Sequence, residues 1–200
     1  MIPLDAARAE LRAVAWGPLS VAAGAAALLL ALDLTLWPRG PGALPGWLGA
    51  ALLAGAACFA MDQPAAIVVA ATPTGHARRT AVRATLGLVL VTVWMAYAVV
   101  WRSQPTVAVP LWWAQALVGC SLVLAGVGLS AVLVRRGQLE PAGGVTAGLV
   151  LSVMGLGVVP LPWRVEAFDL SGTQASTTVF WLVVAGVGLA ALLWGASDRS

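Results

Sequence analysis

ATLGLVLVTVWMAYAVVW, residues 84–101, is an uninterrupted apolar stretch closed at one end by Arg83 and at the other by Arg102. A helix needs roughly 17–25 apolar residues to cross the hydrocarbon of a bilayer. This stretch has that length, and its charges sit where the polar headgroups would begin. Working outward, the same grammar recurs. The segments 20–37, 47–61, 109–134, 144–160 and 177–194 are also apolar, and they predict a chain of six spans. The segments 47–61 and 144–160 are short or glycine-rich. They are expected to tilt or to pack mainly against protein.

Composition supports the same class. Hydrophobic residues make up 60% of the chain and charged residues 10%, with a mean hydropathy of +0.93. A soluble domain carries about 25% charge, so this chain lacks the means to cover a water-facing surface. The net charge of +3 does not indicate nucleic acid, because there is no lysine and the arginines flank apolar runs. The first apolar run starts late and is long, which argues against a cleavable signal peptide. The expected fold is all-α, a single polytopic transmembrane domain over residues 1–200.

Arginine placement sets the expected orientation, since positive charge in short loops marks the cytoplasmic side. With both termini inside, Arg8, Arg12, Arg78, Arg79, Arg83, Arg135, Arg136 and Arg199 face inward, and Arg39, Arg102 and Arg164 face outward. That is eight against three. Tryptophans at both ends of the spans fit the aromatic belts of a cell-membrane protein. Ahead of the first span, LDAARAELRAVAW places Leu4, Ala7, Leu11 and Val14 at helical spacing. It reads as an interfacial helix on the inner leaflet or as the frayed start of the first span. The segment before the last span, LPWRVEAFDLSGTQAST, reads as a re-entrant piece or as a solvated loop.

Catalytic material is scarce. The single histidine and two distant cysteines, Cys58 and Cys120, offer no metal cluster. No phosphate-binding GxxxxGK[ST] loop occurs. No enzyme activity and no cofactor are expected. Asp33, set one turn inside the outer end of the first span, is an intramembrane carboxylate and therefore a candidate polar site. The alternative is that it snorkels to the interface or pairs with Arg39 or Arg102. Thr92, Tyr97, Gln115, Ser121, Ser130, Thr146 and Ser152 are the other polar residues within spans, too few for an aqueous ion path. The near-repeat LAGVGLS at 124–130 and VAGVGLA at 184–190 reads as close helix packing through small residues.

The most distinctive polar stretch is AMDQPAAIVVAATPTGHARRTAVR, residues 60–83. Asp62 and Pro64 end the second span, a short apolar piece follows, and a Thr-Pro-Thr-Gly turn leads into His76, Arg78, Arg79 and Arg83. An ordinary positive-inside loop explains the arginines. A short helix lying along the membrane, with Ile67 and Val68 as apolar anchors, explains the extra length.

In layout, the chain resembles the permease subunits of six-helix ABC exporters: an N-terminal interfacial helix, six spans, a short cytoplasmic coupling helix between spans two and three, and a re-entrant segment before the sixth. The DQPA…TPTGHARR stretch is similar to the cytoplasmic loop of such permeases in GC-rich Gram-positive bacteria. This resemblance implies a membrane subunit that moves a hydrophobic or amphipathic cargo with energy from a separate ATP-binding subunit. It also implies a pair of permeases, identical or paired with a sister chain. Asp62, Ile67, Val68, His76, Arg78, Arg79 and Arg83 would then couple to the ATPase. The alternative is a membrane anchor or assembly subunit that docks a cytoplasmic partner without transport.

Overall fold

The computed structural model describes residues 11–36, 44–62, 76–103, 112–158 and 175–197. They form six helices: α1 Trp16–Leu36, α2 Leu44–Phe59, α3 His76–Arg102, α4 Trp112–Arg135, α5 Ala142–Val158 and α6 Ala175–Ala196. No strand occurs among the described residues. Four of the helices, α1, α3, α4 and α6, are long and apolar enough to cross a membrane. The other two are shorter. At 1.5 Å per residue, the 16 residues of α2 and 17 of α5 reach about 25 Å, short of the ~30 Å hydrocarbon core. The expected interfacial helix lies largely outside the described residues, as do the segment before α6 and the stretch 63–75 with Ile67 and Val68.

Helix boundaries shift in one informative place. The third span was expected to begin at residue 84, with the basic residues leading into it. Instead α3 begins at His76, so Arg78, Arg79 and Arg83 occupy its first two turns. No proline or glycine interrupts the chain between residues 76 and 86, so nothing there stops the helix from starting early.

Successive helices alternate in direction, as their contacts show. On α2, the start lies beside the end of α1, with Gly46 next to Asp33 and Gly49 against Leu30. Its far end meets the first turns of α3 and the start of α5: Arg83 bonds the Met61 carbonyl, and Asp62 bonds Ala142. Between α3 and α4, the Trp94 indole lies against Gln115 and Gly119. These pairs are antiparallel. By contrast α4 and α6 run parallel, with Ser121 donating to the Trp181 carbonyl at 2.9 Å and Gly128 facing Gly188.

The centre of the bundle is α2. Ala50, Ala51, Leu53, Ala54, Ala56, Ala57 and Cys58 are all buried, and the helix touches α1, α3, α4 and α5. Its alanines and glycines make a narrow cylinder, which lets four neighbours approach closely. Outward faces stay apolar: Val21 and Leu28 on α1, Leu88 and Val99 on α3, Leu151 on α5, and Leu182, Val187 and Leu193 on α6 are all exposed. A helix bundle that is apolar both inside and outside suits a lipid surround.

The near-repeat is a contact. Gly128 and Gly188 hold equivalent positions in the two copies, and they face each other. A Cβ on Gly188 would come within 2.6 Å of the Ala125 nitrogen, and one on Gly128 within 2.2 Å of the Gly188 carbonyl oxygen. Only glycine permits this backbone approach. Further along, Arg135 donates to the Trp194 carbonyl and Ser197 hydroxyl, and its guanidinium sits 4.5 Å from the centre of the Trp194 ring. It closes the C-terminal end of α6, where unpaired carbonyls and the helix dipole favour a cation.

Candidate functional site

Two polar clusters stand out in the apolar bundle, one at each end. At the first, the chain leaves α2 through a turn ending in Asp62. Asp62 and Arg83 are buried, at 5% and 2% exposure. The Arg83 guanidinium on α3 donates to the Met61 and Asp62 carbonyls. Those carbonyls lie just past the last turn of α2, where intrahelical donors run out. The Asp62 carboxylate accepts the Ala142 N–H at 3.0 Å. Ala142 opens α5, and Pro141 before it has no N–H of its own. A remote carboxylate therefore does the work of an N-cap. Through two side chains, the end of α2 and the starts of α3 and α5 are held together.

Burial pushes the Asp62 carboxyl up from 3.8 to about 6, with nearby Glu140 adding to the rise, while the Ala142 N–H and Arg83 pull it back. The sign follows from linkage. A carboxyl whose folded value lies above its unfolded value contributes its full stability below 3.8 and loses it as pH rises through about 6. The thermal midpoint of the wild type relative to Asp62→Asn is therefore expected to climb as pH falls from neutral into this window. A flat or falling difference in a paired thermal-melt series would contradict the burial of this carboxylate.

The neighbouring basic residues face differently. Arg78 and Arg79 are half-buried in the first turns of α3. One Nη of Arg78 is covered yet meets no acceptor among the described residues. His76 begins the helix, and its side chain lies outside the described residues. Asp62 and Arg83 thus serve the ends of the chain's own helices, and Arg78 and Arg79 lie closer to the surface.

The second cluster lies at the opposite end. Asp33 on α1 is buried, at 5% exposure. It accepts a hydrogen bond from the Tyr97 hydroxyl on α3 at 2.6 Å. Gln115 on α4 hydrogen-bonds the same hydroxyl, and the Gly46 N–H at the start of α2 faces the carboxylate. The Trp94 indole donates to the Gln115 backbone carbonyl at 3.1 Å, its ring 5.0 Å from that of Tyr97. It fits because Gly119 leaves the space: a Cβ there would lie 2.0 Å from Trp94 Nε1.

Asp33 does not snorkel to a surface. Arg39 and the Arg102 side chain, its other expected partners, lie outside the described residues. In the sequence, Tyr97 and Gln115 stand only among the polar residues within spans that are too few for an aqueous ion path. Their depth was the missed signal: Asp33 and Tyr97 each lie four residues inside the same predicted face of the membrane, and Gln115 six. Elsewhere, Cys58 and Cys120 are free thiols, and the described residues contain no group of three metal-ligating side chains.

No known protein family, no curated protein and no solved structure matches this chain.

Proposed function

We propose that this chain is the membrane-spanning subunit of an ABC-type exporter, embedded in the cell membrane with both termini cytoplasmic. In this reading all six helices cross the bilayer. The short α2 crosses inside the bundle, where protein rather than lipid surrounds it. A second permease, identical or a sister chain, completes the cargo route, and a separate ATP-binding subunit drives it. The apolar character of the helices suits a hydrophobic or amphipathic cargo.

One observation carries the coupling role: Asp62 and Arg83 tie α2, α3 and α5 together. A push on the segment between them therefore moves the ends of three helices at once. In this reading the half-buried Arg78 and Arg79 turn to meet acidic groups or carbonyls on the partner, and Ile67 and Val68 supply apolar contact area.

The double variant Arg78→Glu, Arg79→Glu is the test. Losing a desolvated charge pair at an interface costs about 2–5 kcal/mol, roughly thirtyfold or more in affinity. Co-purification of the ATPase is expected to fall accordingly, and coupled transport with it. Gln138→Arg with Leu139→Arg, both in the exposed stretch after Arg135 and Arg136, restores two positive residues on the same side without restoring the contact. If that compensated variant still holds its ATPase and transports normally, the arginines only set orientation and the coupling role fails.

A further inference from the structure

We propose that Asp33, Tyr97 and Gln115 form an intramembrane binding site for a small monovalent cation, Na+ or H+. The proposal stands whether or not the chain is a transporter subunit.

The site is built from four helices. Asp33 comes from α1, Gly46 from the start of α2, Tyr97 from α3 and Gln115 from α4. Its two side-chain acceptors are left open. Asp33 Oδ1 and Gln115 Oε1 are both covered, and neither meets a hydrogen-bond donor among the described residues. The residues that carry them are 5% and 3% exposed. A buried acceptor without a donor is costly, and here two of them belong to groups bound to one hydroxyl. The Tyr97 proton is already committed to Asp33 Oδ2. What the cluster lacks, among the described residues, is positive charge.

Charge and size select the ligand. One carboxylate balances one positive charge, and the described residues hold no second acidic group beside it to favour a divalent ion. The titratable side chain facing Asp33 from the packed helices is Tyr97. The described arginine side chains lie elsewhere: Arg83 is at the far end of α3, and Arg135 is at the far end of α4. The packing is tight on the α2 side of the site: a single Cβ on Gly46 would come within 2.9 Å of Tyr97 Oη and 3.1 Å of Asp33 Oδ2. Oxygen donors from a carboxylate and a carboxamide suit a hard cation, and a buried carboxylate in a span must be balanced by some partner.

The experiment uses the full chain in lipid nanodiscs, compared with Asp33→Asn and Tyr97→Phe. In the first arm, radiolabelled Na+ binding is measured at alkaline pH, with choline holding ionic strength constant. In the second, thermal midpoints are measured in Na+-free choline buffer from alkaline to mildly acidic pH. Subtracting Asp33→Asn removes the contribution of Asp62, which titrates in both proteins. If Na+ is the occupant, the wild type binds one Na+ per chain and Asp33→Asn binds none. If H+ is the occupant, no Na+ binds, and acidification raises the midpoint of the wild type relative to Asp33→Asn. At saturation either ligand is expected to raise the midpoint by roughly 5 °C or more. Tyr97→Phe, which keeps the ring, is expected to weaken the response about tenfold.

Three results overturn the site. The first is a wild type that shows neither Na+ binding nor an Asp33-dependent pH response. The second is an Asp33→Asn protein that keeps the wild-type response. The third is an Asp33→Asn protein that is destabilised equally under every cation condition, which would make an undescribed arginine the counter-charge. Should Asp33→Asn fail to insert, an unchanged cation response in Tyr97→Phe overturns it as well.

Discussion

Gly188→Ala lowers the thermal midpoint of the purified protein by several degrees, while Gly186→Ala, two residues away on the same helix, leaves it level or slightly raised: this is the expected result. The two glycines share a helix and a composition but not a neighbour. A Cβ on Gly188 meets the Ala125 nitrogen and the Leu124 carbonyl carbon at 2.6 Å, whereas one on Gly186 meets nothing within 4 Å. The atoms in the way at Gly188 are backbone, so no side chain can swing aside, and α4 and α6 must separate. Overpacking of this kind costs about 1–3 kcal/mol. For a chain of this size each kcal/mol shifts the midpoint by roughly 2–4 °C. At Gly186 the same substitution only improves helix propensity, by up to about 1 kcal/mol. Equal behaviour of the two variants, read by tryptophan fluorescence on heating, would mean that α4 and α6 do not meet along this face.

The second large effect belongs to Arg83. Arg83→Met keeps much of the side chain's length and apolar volume but removes the guanidinium. The Met61 and Asp62 carbonyls lose their donor in a buried setting, and the Asp62 carboxylate loses its nearby positive charge. Removing one member of a buried polar or charged set costs about 3–5 kcal/mol. The matched control is Arg136→Met, which deletes a charge of the same sign on the same side from an exposed position. Surface substitutions of that kind stay within about 0.5 kcal/mol. A difference between the two variants isolates the tie among α2, α3 and α5 from any effect on orientation. Arg83→Lys is expected to recover only part of the loss, because a point charge cannot serve two carbonyls as a planar fork does. Arg83→Met and Arg136→Met melting together would show that Arg83 carries no structural load.

Much of the architecture was legible in the chain. Apolar runs bounded by arginine and tryptophan located all six helices, and the glycine-rich near-repeat pointed to close packing in α4 and α6. The limits of the reading have a physical cause. In water, an amphipathic helix announces its buried face, because the exposed side must be polar. In lipid both faces are apolar, so periodicity does not say which side of α6 meets α4 or that α2 lies at the centre. Small residues give the better clue, since they mark close approach. Even so, the open glycines of α5, such as Gly148, show that a small residue need not lie in a contact.

The sequence by itself pointed to the solvent and the secondary structure: so strongly apolar a chain suits a membrane, and there a backbone is satisfied within helices. It also marked Asp33 as out of place. Only the tertiary structure decided what its polar residues do. Asp33, Tyr97 and Gln115 come from three helices and share one hydroxyl, while Asp62 and Arg83 turn inward to close helix ends and Arg78 and Arg79 stay only half-buried. The reason is general. In a medium without water, a buried polar group takes whichever partner the packing brings within reach, and packing of helices far apart in sequence is set by shape and not by any local pattern.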